Sequence, residues 1–507
     1  MKKRWIILIV LVLLILIGWY NFFVPHGSAR RRLAEYKKEL IAKGEKLDLA
    51  LLTVPRRSSV SNVADSFLAL TARWSIPEYA DFPAAMKLVA PGAAAIGYTN
   101  LEASLMASYN TNKYFAAHLR EILRGGSMEF QVDYPRGADT PLKHLAEIKR
   151  MALQLSDTAQ QALHEHDLDE AALDLGAGAD LLRLWGREPL LISTLLRDAC
   201  AGIDFGITWE GLQDPDWNDA QLSALQFKWQ QLNFFTNMDA VLSMERAFGI
   251  DGMAKARRFT SAAQFYAPLV MPPGAQASQT FGDWIGKLMK YPKAALGDVY
   301  ERYPKFWMWK SKWSYEEELC GIQMGTAEVE ACRRIEALGH CALTLRELQN
   351  QTSNILCSYP NFESHFMAGY ASIEATIHRA LVKNAQTEAA KRLLVIAISL
   401  KRYQLQRRRL PEKLDQLVPE FLDKVPIDFM DGKPLRYKLL EAKRFLLYSV
   451  GEDGRDDGGD GSPANASEPP RFLNGRDIVW PGPATEEQIR DYEAQHPRNK
   501  TVPPTSK

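Results

Sequence analysis

From Trp5 to Val24 the chain runs through 20 residues without a charge. Wound as a helix, such a run covers roughly 30 Å, the thickness of a bilayer's hydrocarbon core. Lys2, Lys3 and Arg4 precede it; Trp5 stands at one end and Trp19, Tyr20, Phe22 and Phe23 at the other. Aromatic side chains at both rims are what the two membrane–water interfaces favour. A cleaved signal peptide is the alternative, with Gly27-Ser28-Ala29 as small residues before a cut. A signal-peptide apolar region is typically about 7–15 residues, shorter than this one. No cysteine follows the run, which excludes a lipoprotein. The expectation is one uncleaved transmembrane helix over 5–24, behind a cytoplasmic basic end at 1–4. Arg30, Arg31, Arg32, Lys37 and Lys38 pull the positive-inside balance the other way. Together with the C-terminal features described below, the N-terminal cations favour a single-pass inner (cytoplasmic) membrane protein with the bulk of the chain outside the cytoplasm.

The other 480 or so residues must fold in water, since mean hydropathy is −0.24. Lys+Arg total 62 against 61 Asp+Glu, so no excess of positive charge points to nucleic acid. Residues 25–99 read as a juxtamembrane stalk and wrapping segment, beginning with Leu33, Tyr36, Leu40 and Ile41 at helical spacing. Residues 100–385 read as an irregular or solenoid-like helical domain. Thr140-Pro141 opens a run carrying Leu142, Leu145, Ile148, Met151 and Leu155 on one face. Asp167 or Asp169 breaks it, and Ala172, Leu175, Leu181 and Leu182 begin again. Glu188-Pro189 stops this second run, because the residue before proline is pushed out of the helical region. A third run extends from Leu190 to about Leu212. No fixed repeat period appears.

Chemistry-bearing motifs are sparse. In His164-Glu165-His166-Asp167 the histidines are two apart. That spacing places them on different sides of a helix, so the run reads as an exposed turn rather than a metal site. Phe306, Trp307, Trp309 and Trp313, interleaved with lysines, read either as a core corner or as a surface for a membrane or glycan. Cys200, Cys320, Cys332, Cys341 and Cys357 read as thiols rather than bridges.

The C-terminal quarter is more explicit. Ala389, Leu393, Ile396, Leu400 and Tyr403 mark a helix face ending at Arg407, Arg408 and Arg409. Asp431-Gly432 signals a turn. Pro434–Tyr437, Arg444–Val450 and Asp477–Trp480 read as antiparallel strands. Leu410-Pro411, Leu417-Val418-Pro419, Pro426-Ile427-Asp428, Leu447-Tyr448-Ser449-Val450-Gly451-Glu452-Asp453-Gly454 and Asp477-Ile478 occur in that order. In this order they resemble the globular part of the major pseudopilin of type II secretion, over about 386–480. Phe429 stands where that family has proline, and Arg408 where it usually has glycine. Ser462 to about Gly475 is an insertion.

The resemblance implies a small α+β module over 386–482 with antiparallel strands, and a calcium ion in its acidic loop. By that resemblance Asp453 and Asp456 or Asp457 supply carboxylates, Val450 and Arg455 supply backbone oxygens, and Asp477 is a further candidate. Residues 451–460 carry five acids against one arginine, with glycines between them. Such a stretch can turn many oxygens toward a hard cation; the alternative is a solvated acidic loop. The chain lacks the family's processing site, a glycine before an apolar helix with glutamate at its fifth position. Nearly 360 residues separate the anchor from the module, so pilus assembly is not implied. The tail, 483–507, is Pro-rich and expected to be disordered.

The fold expectation is therefore mainly α, with an N-terminal transmembrane helix, a helical domain and a small pseudopilin-like α+β end. The functional expectation is a membrane-anchored bacterial envelope protein that binds or scaffolds. Its expected partners are the membrane, through 5–24, and envelope or secretion proteins. The alternatives are an accessory component of a type II secretion or pilus-like machine, and an enzyme whose site lies in the helical domain.

Overall fold

The computed structural model describes residues 28–52, 61–73, 103–259, 306–359, 361–365, 370–441, 444–463 and 472–482. The expected membrane helix at 5–24, segment 74–100 and the tail after 482 lie outside them. Among the described residues no helix is long and apolar enough to cross a membrane.

The fold is mainly helical. Helix α1 (28–42) is followed by α2 (Ala64–Arg73), α3 (Ala103–Leu123), α4 (Lys143–His164), α5 (Leu168–Trp185), α6 (Leu191–Gly211), α7 (Asp219–Gln230) and α8 (Met238–Ala256). After residue 305 come α9 (Ser314–Leu338), α10 (Thr344–Cys357) and α11 (Tyr370–Arg407). A three-stranded antiparallel sheet closes the fold, in the order β1 (Arg436–Glu441), β2 (Arg444–Val450), β3 (Asp477–Val479).

The expected hairpin is α4–α5. Its turn is the His-Glu-His-Asp run: His166 adopts φ 57°, and the Asp167 side chain accepts the Glu170 N–H at 3.2 Å, capping α5. Gly178 on α5 lets α6 approach, because a Cβ there would stand 2.5 Å from an oxygen of Asp204. Helices α8 and α9 run antiparallel, with Arg246 donating to Thr326 at 3.0 Å and Arg257 to the Ser314 carbonyl at 2.7 Å.

The segment expected to be a stalk is laid on the body. Leu33 and Leu40 of α1 pack on Leu319 and Ile322 of α9, and Lys37 pairs with Glu318. Arg32 meets Glu316 at 3.7 Å, so α1 runs parallel to α9 from a shared end.

Helix α11 is the axis. It is roughly 57 Å long at 1.5 Å per residue, and between Ala380 and Leu400 only Lys383 and Arg392 reach partial exposure. A helix buried all round must be wrapped on every side. One face meets α6 and α7, another α10 and the sheet. It ends at Arg408, φ 57°, in the left-handed conformation that glycine adopts at least cost. This is the position where the resembled family usually has glycine.

One apolar cluster extends from Val63 through α11 to Trp480. Gln226 donates to the Phe421 carbonyl, and Trp209 to that of Pro481, both at 2.7 Å. The boundary expected between 385 and 386 thus falls inside a buried helix, and the sheet shares its core with the helical body.

Candidate functional site

The acidic loop lies where the sequence places it, between β2 and β3. Val450 pairs with Asp477 across the sheet. Gly451 is required here, since a Cβ would stand 1.8 Å from the Arg476 carbonyl oxygen. The side chains of the expected calcium donors Asp453, Asp456, Asp457 and Asp477 are not grouped to hold an ion. Asp477, fully buried, accepts the Gly459 N–H at 2.7 Å and the Asp457 N–H at 3.4 Å. Asp456 accepts the Tyr448 hydroxyl at 2.9 Å and Arg436 Nε at 3.2 Å. Asp453 accepts its neighbour Arg455's N–H at 3.0 Å, and its carbonyl accepts from Arg346 of α10. The Val450 N–H donates to Asp428 at 3.0 Å, and its carbonyl accepts from Ser449 at 3.1 Å. Exposed Asp457 shares no other carboxylate's partner.

Calcium wants six to eight converging oxygens, and these residues as placed do not fit it. Asp456 would have to leave Arg436, and Asp477 the Gly459 N–H. The cation that gathers several of these acids is Arg436. Its guanidinium donates to Asp428 at 2.6 Å, to Asp431 at 2.5 and 3.2 Å, and to Asp456. Burial works against its charge, but the Asp431, Asp428 and Asp456 carboxylates outweigh that and hold its pKa above the ordinary value. Asp428 in turn accepts from Ser449 at 2.6 Å and from the Met430 N–H at 2.9 Å.

The second candidate is a groove of about 720 Å³ between α1, α9 and α10. Its floor carries Gln323, Thr326 and Glu330; one wall carries Tyr36 and Lys43. The α10 wall presents Glu347, Asn350, Gln351, Asn354 and Ser358. These stand at i, i+3, i+4, i+7 and i+11, a single stripe along the helix. Among the described residues the side-chain amides of Asn350, Gln351 and Asn354 have no hydrogen-bond partner, and all three residues are exposed. The opposite face of α10 is Leu345, Leu348 and Thr352, all buried. The same periodicity that reads as core packing in the sequence therefore leaves an amide ladder on the other side.

The helical interior holds ionisable groups that no sequence motif announced. His144 Nε2 lies 2.9 Å from Glu188, which also accepts from Ser193. The carboxylate stands between hydroxyl and imidazole, so histidine cannot take the serine proton as in a hydrolytic triad. The adjoining cavity, lined by Trp185, Arg197 and Phe234, is about 10 Å³, room for one water.

Asp204 is 2% exposed; one oxygen accepts from Ser156 at 3.0 Å, and the other has no partner among the described residues. Burial pushes its pKa up to about 7. Asp198 is raised to about 7 by the same cause. A raised folded pKa means that the native state keeps a proton the unfolded chain has lost. The associated stability is complete below the ordinary value of 3.8, and is lost as pH rises through about 7. Asp204→Asn is therefore expected to raise the melting temperature at pH 8 while leaving it nearly unchanged at pH 4. At about 1.4 kcal/mol per pKa unit, the gain is at most roughly 4 kcal/mol. Equal shifts at the two pH values would show that Asp204 is not held protonated.

All five cysteines are free, four of them buried and Cys357 exposed. Among the described residues no three His, Cys, Asp or Glu side chains are grouped to hold an ion. No protein-family model, no curated protein and no solved structure matches the chain.

Proposed function

We propose that this is a membrane-anchored envelope protein, its bulk outside the cytoplasm, whose helical body binds extended polypeptide segments in the α1–α9–α10 groove. The observation that carries the reading is the amide ladder on α10. A side-chain amide both donates and accepts, and so can pair with a peptide unit's C=O and N–H. Residues four apart on a helix are spaced by about 6 Å along its axis. Peptide units facing the same side of an extended chain recur every 6.6 Å or so. From Glu347 to Ser358 the polar stripe spans about 16 Å, matching roughly five extended residues, with the amides at its centre. Tyr36 opposite offers apolar contact, and Lys43, Glu330 and Glu347 offer charges of both signs.

The test is fluorescence anisotropy of a labelled, end-blocked random hexapeptide pool with the full chain in nanodiscs. Saturable binding is expected, weakened about tenfold by Gln351→Leu with Asn354→Leu, since each lost neutral hydrogen bond costs about 0.5–1.5 kcal/mol. Binding that does not saturate, or that ignores the double variant, would overturn the reading. A second reading, an accessory component of a secretion or pilus-like machine, is supported by the ordered motifs over 410–478. It too requires the capture of polypeptide.

A further inference from the structure

Three chain elements meet at one end of the body. Helix α1 begins there, α8 ends there, and α9 begins there, as the Arg32–Glu316, Arg257–Ser314 and Arg257–Glu318 contacts require. Just before α9 the chain makes a helical turn at 306–308 and a π-turn over Trp309–Trp313. The sequence left this aromatic stretch open between core and surface, and the structure divides it. Phe306, Trp309 and Trp313 are buried against Met253, whereas Trp307 is 49% exposed and Met308 40% exposed. Lys310 lies over the Trp307 ring at 5.2 Å, its ammonium donating to the Phe259 carbonyl. At the same end stand Arg30 and Arg31 at the start of α1 and Arg258 just after α8, all exposed and without an ion pair among the described residues, and half-buried Lys312.

We propose that this end is a membrane-contact surface: Trp307 and Met308 enter the interfacial layer while Arg30, Arg31, Arg258 and Lys312 engage anionic lipid headgroups. The inference rests on residues 5–24 spanning the bilayer, as in the function proposed above. Only residues 25–27 separate that run from the start of α1. Four peptide steps reach about 14 Å at most. The body is therefore held by this end against the headgroups, and no other end of α1 or α9 can be brought as close. Tryptophan is favoured at the interface, and basic side chains are drawn to an anionic surface. The consequence for the groove is orientation: α1 and α9 run away from this end, and the α10 stripe runs back toward it, from Glu347 beside Arg334 to Ser358, next to the Tyr359 that bonds Gln323.

The test uses the full chain in vesicles, carrying Met308→Cys in a Cys357→Ser background and labelled with a nitrobenzoxadiazole dye. The same dye at Leu440→Cys, exposed on β1, serves as the reference. In vesicles rich in phosphatidylglycerol the dye at 308 should emit further to the blue and be quenched severalfold less by iodide than the dye at 440. Pure phosphatidylcholine, or Arg30→Glu with Arg31→Glu and Arg258→Glu, should remove most of that difference. Equal quenching at the two sites in vesicles that retain the protein after a carbonate wash would overturn the membrane surface while leaving the anchor intact. Shielding at 308 that persists in detergent and grows with protein concentration would assign the patch to a second copy instead, which also overturns it. Loss of the protein in the carbonate wash would refute the anchor, and both proposals with it.

Discussion

Arg436→Met is expected to destabilise the full chain by about 3–5 kcal/mol, the range for removing one partner of a buried ion pair. Methionine keeps much of the volume, so the loss is electrostatic. Asp428 is fully buried, and without the guanidinium its carboxylate is left with Ser449 and two N–H groups against neighbouring Asp431. Asp456 is released as well, and with it the tie between the acidic loop and β1. The check is a thermal melt of the parent and the variant with millimolar calcium and with chelator. The parent is expected to melt at the same temperature in both, because Asp453, Asp456, Asp460 and Asp477 already accept from N–H groups, Tyr448 or Arg436. The variant should melt lower, and calcium should recover part of the loss by neutralising the freed acids. A parent whose melting temperature rises with calcium would show that the loop rearranges around the ion, as the pseudopilin resemblance implies. A variant that melts like the parent would show that Arg436 is dispensable.

The second large effect is expected at Glu388, at the centre of α11. Its carboxylate accepts from Lys391 at 2.9 Å, Arg392 at 3.0 Å and the Phe234 N–H at 3.1 Å. Burial on its own would raise its pKa. The two cations outweigh burial and hold it below the ordinary carboxylate value. Arg392 continues the chain of contacts to the carbonyls of Ile427 and Gly339 and stacks on Phe429. Glu388→Gln leaves two cations unpaired in a nearly dry site and should cost about 3 kcal/mol at pH 7. Because the folded pKa is depressed, this contribution exists above the ordinary value of 4.5 and disappears as pH falls through the folded one. The gap between parent and variant melting temperatures should therefore close on acidification. A gap independent of pH would mean that lost packing, not charge, is responsible. Asp204 and Glu388 thus move stability in opposite directions with pH, from the same degree of burial. The difference is that only Glu388 has cations within 3 Å.

How much of this was legible beforehand varies by element. The α4–α5–α6 series was readable because proline, aspartate and apolar periodicity act locally, through caps and excluded backbone angles. The three strands were readable for the same reason. Asp431-Gly432 marks a turn and the largely apolar run Arg444–Val450 a strand within a few residues. The acidic loop is legible as a segment between two strands, whereas the partners of its aspartates are not. Which donor each aspartate meets depends on Arg436, and Arg436 was read only as part of a strand. The ladder at Asn350, Gln351 and Asn354 had a signal, three amides at helical spacing. It became a groove wall only because α1 and α9 lie opposite, and α1 is some three hundred residues away in the chain.

By itself the sequence determined what short-range physics controls: a 20-residue uncharged run long enough for a bilayer, helices with their breaks, and an antiparallel end with a glycine-rich acidic loop. Only the tertiary structure decided that α11 belongs to body and sheet at once, and that the stalk lies down on α9. It also decided that Trp307 faces out while Trp309 faces in, and that Glu388 and Asp204 meet opposite electrostatic fates. The physical reason is that burial and charge pairing are set by side chains far apart in the chain, and periodicity within one helix says which face is covered but not by what.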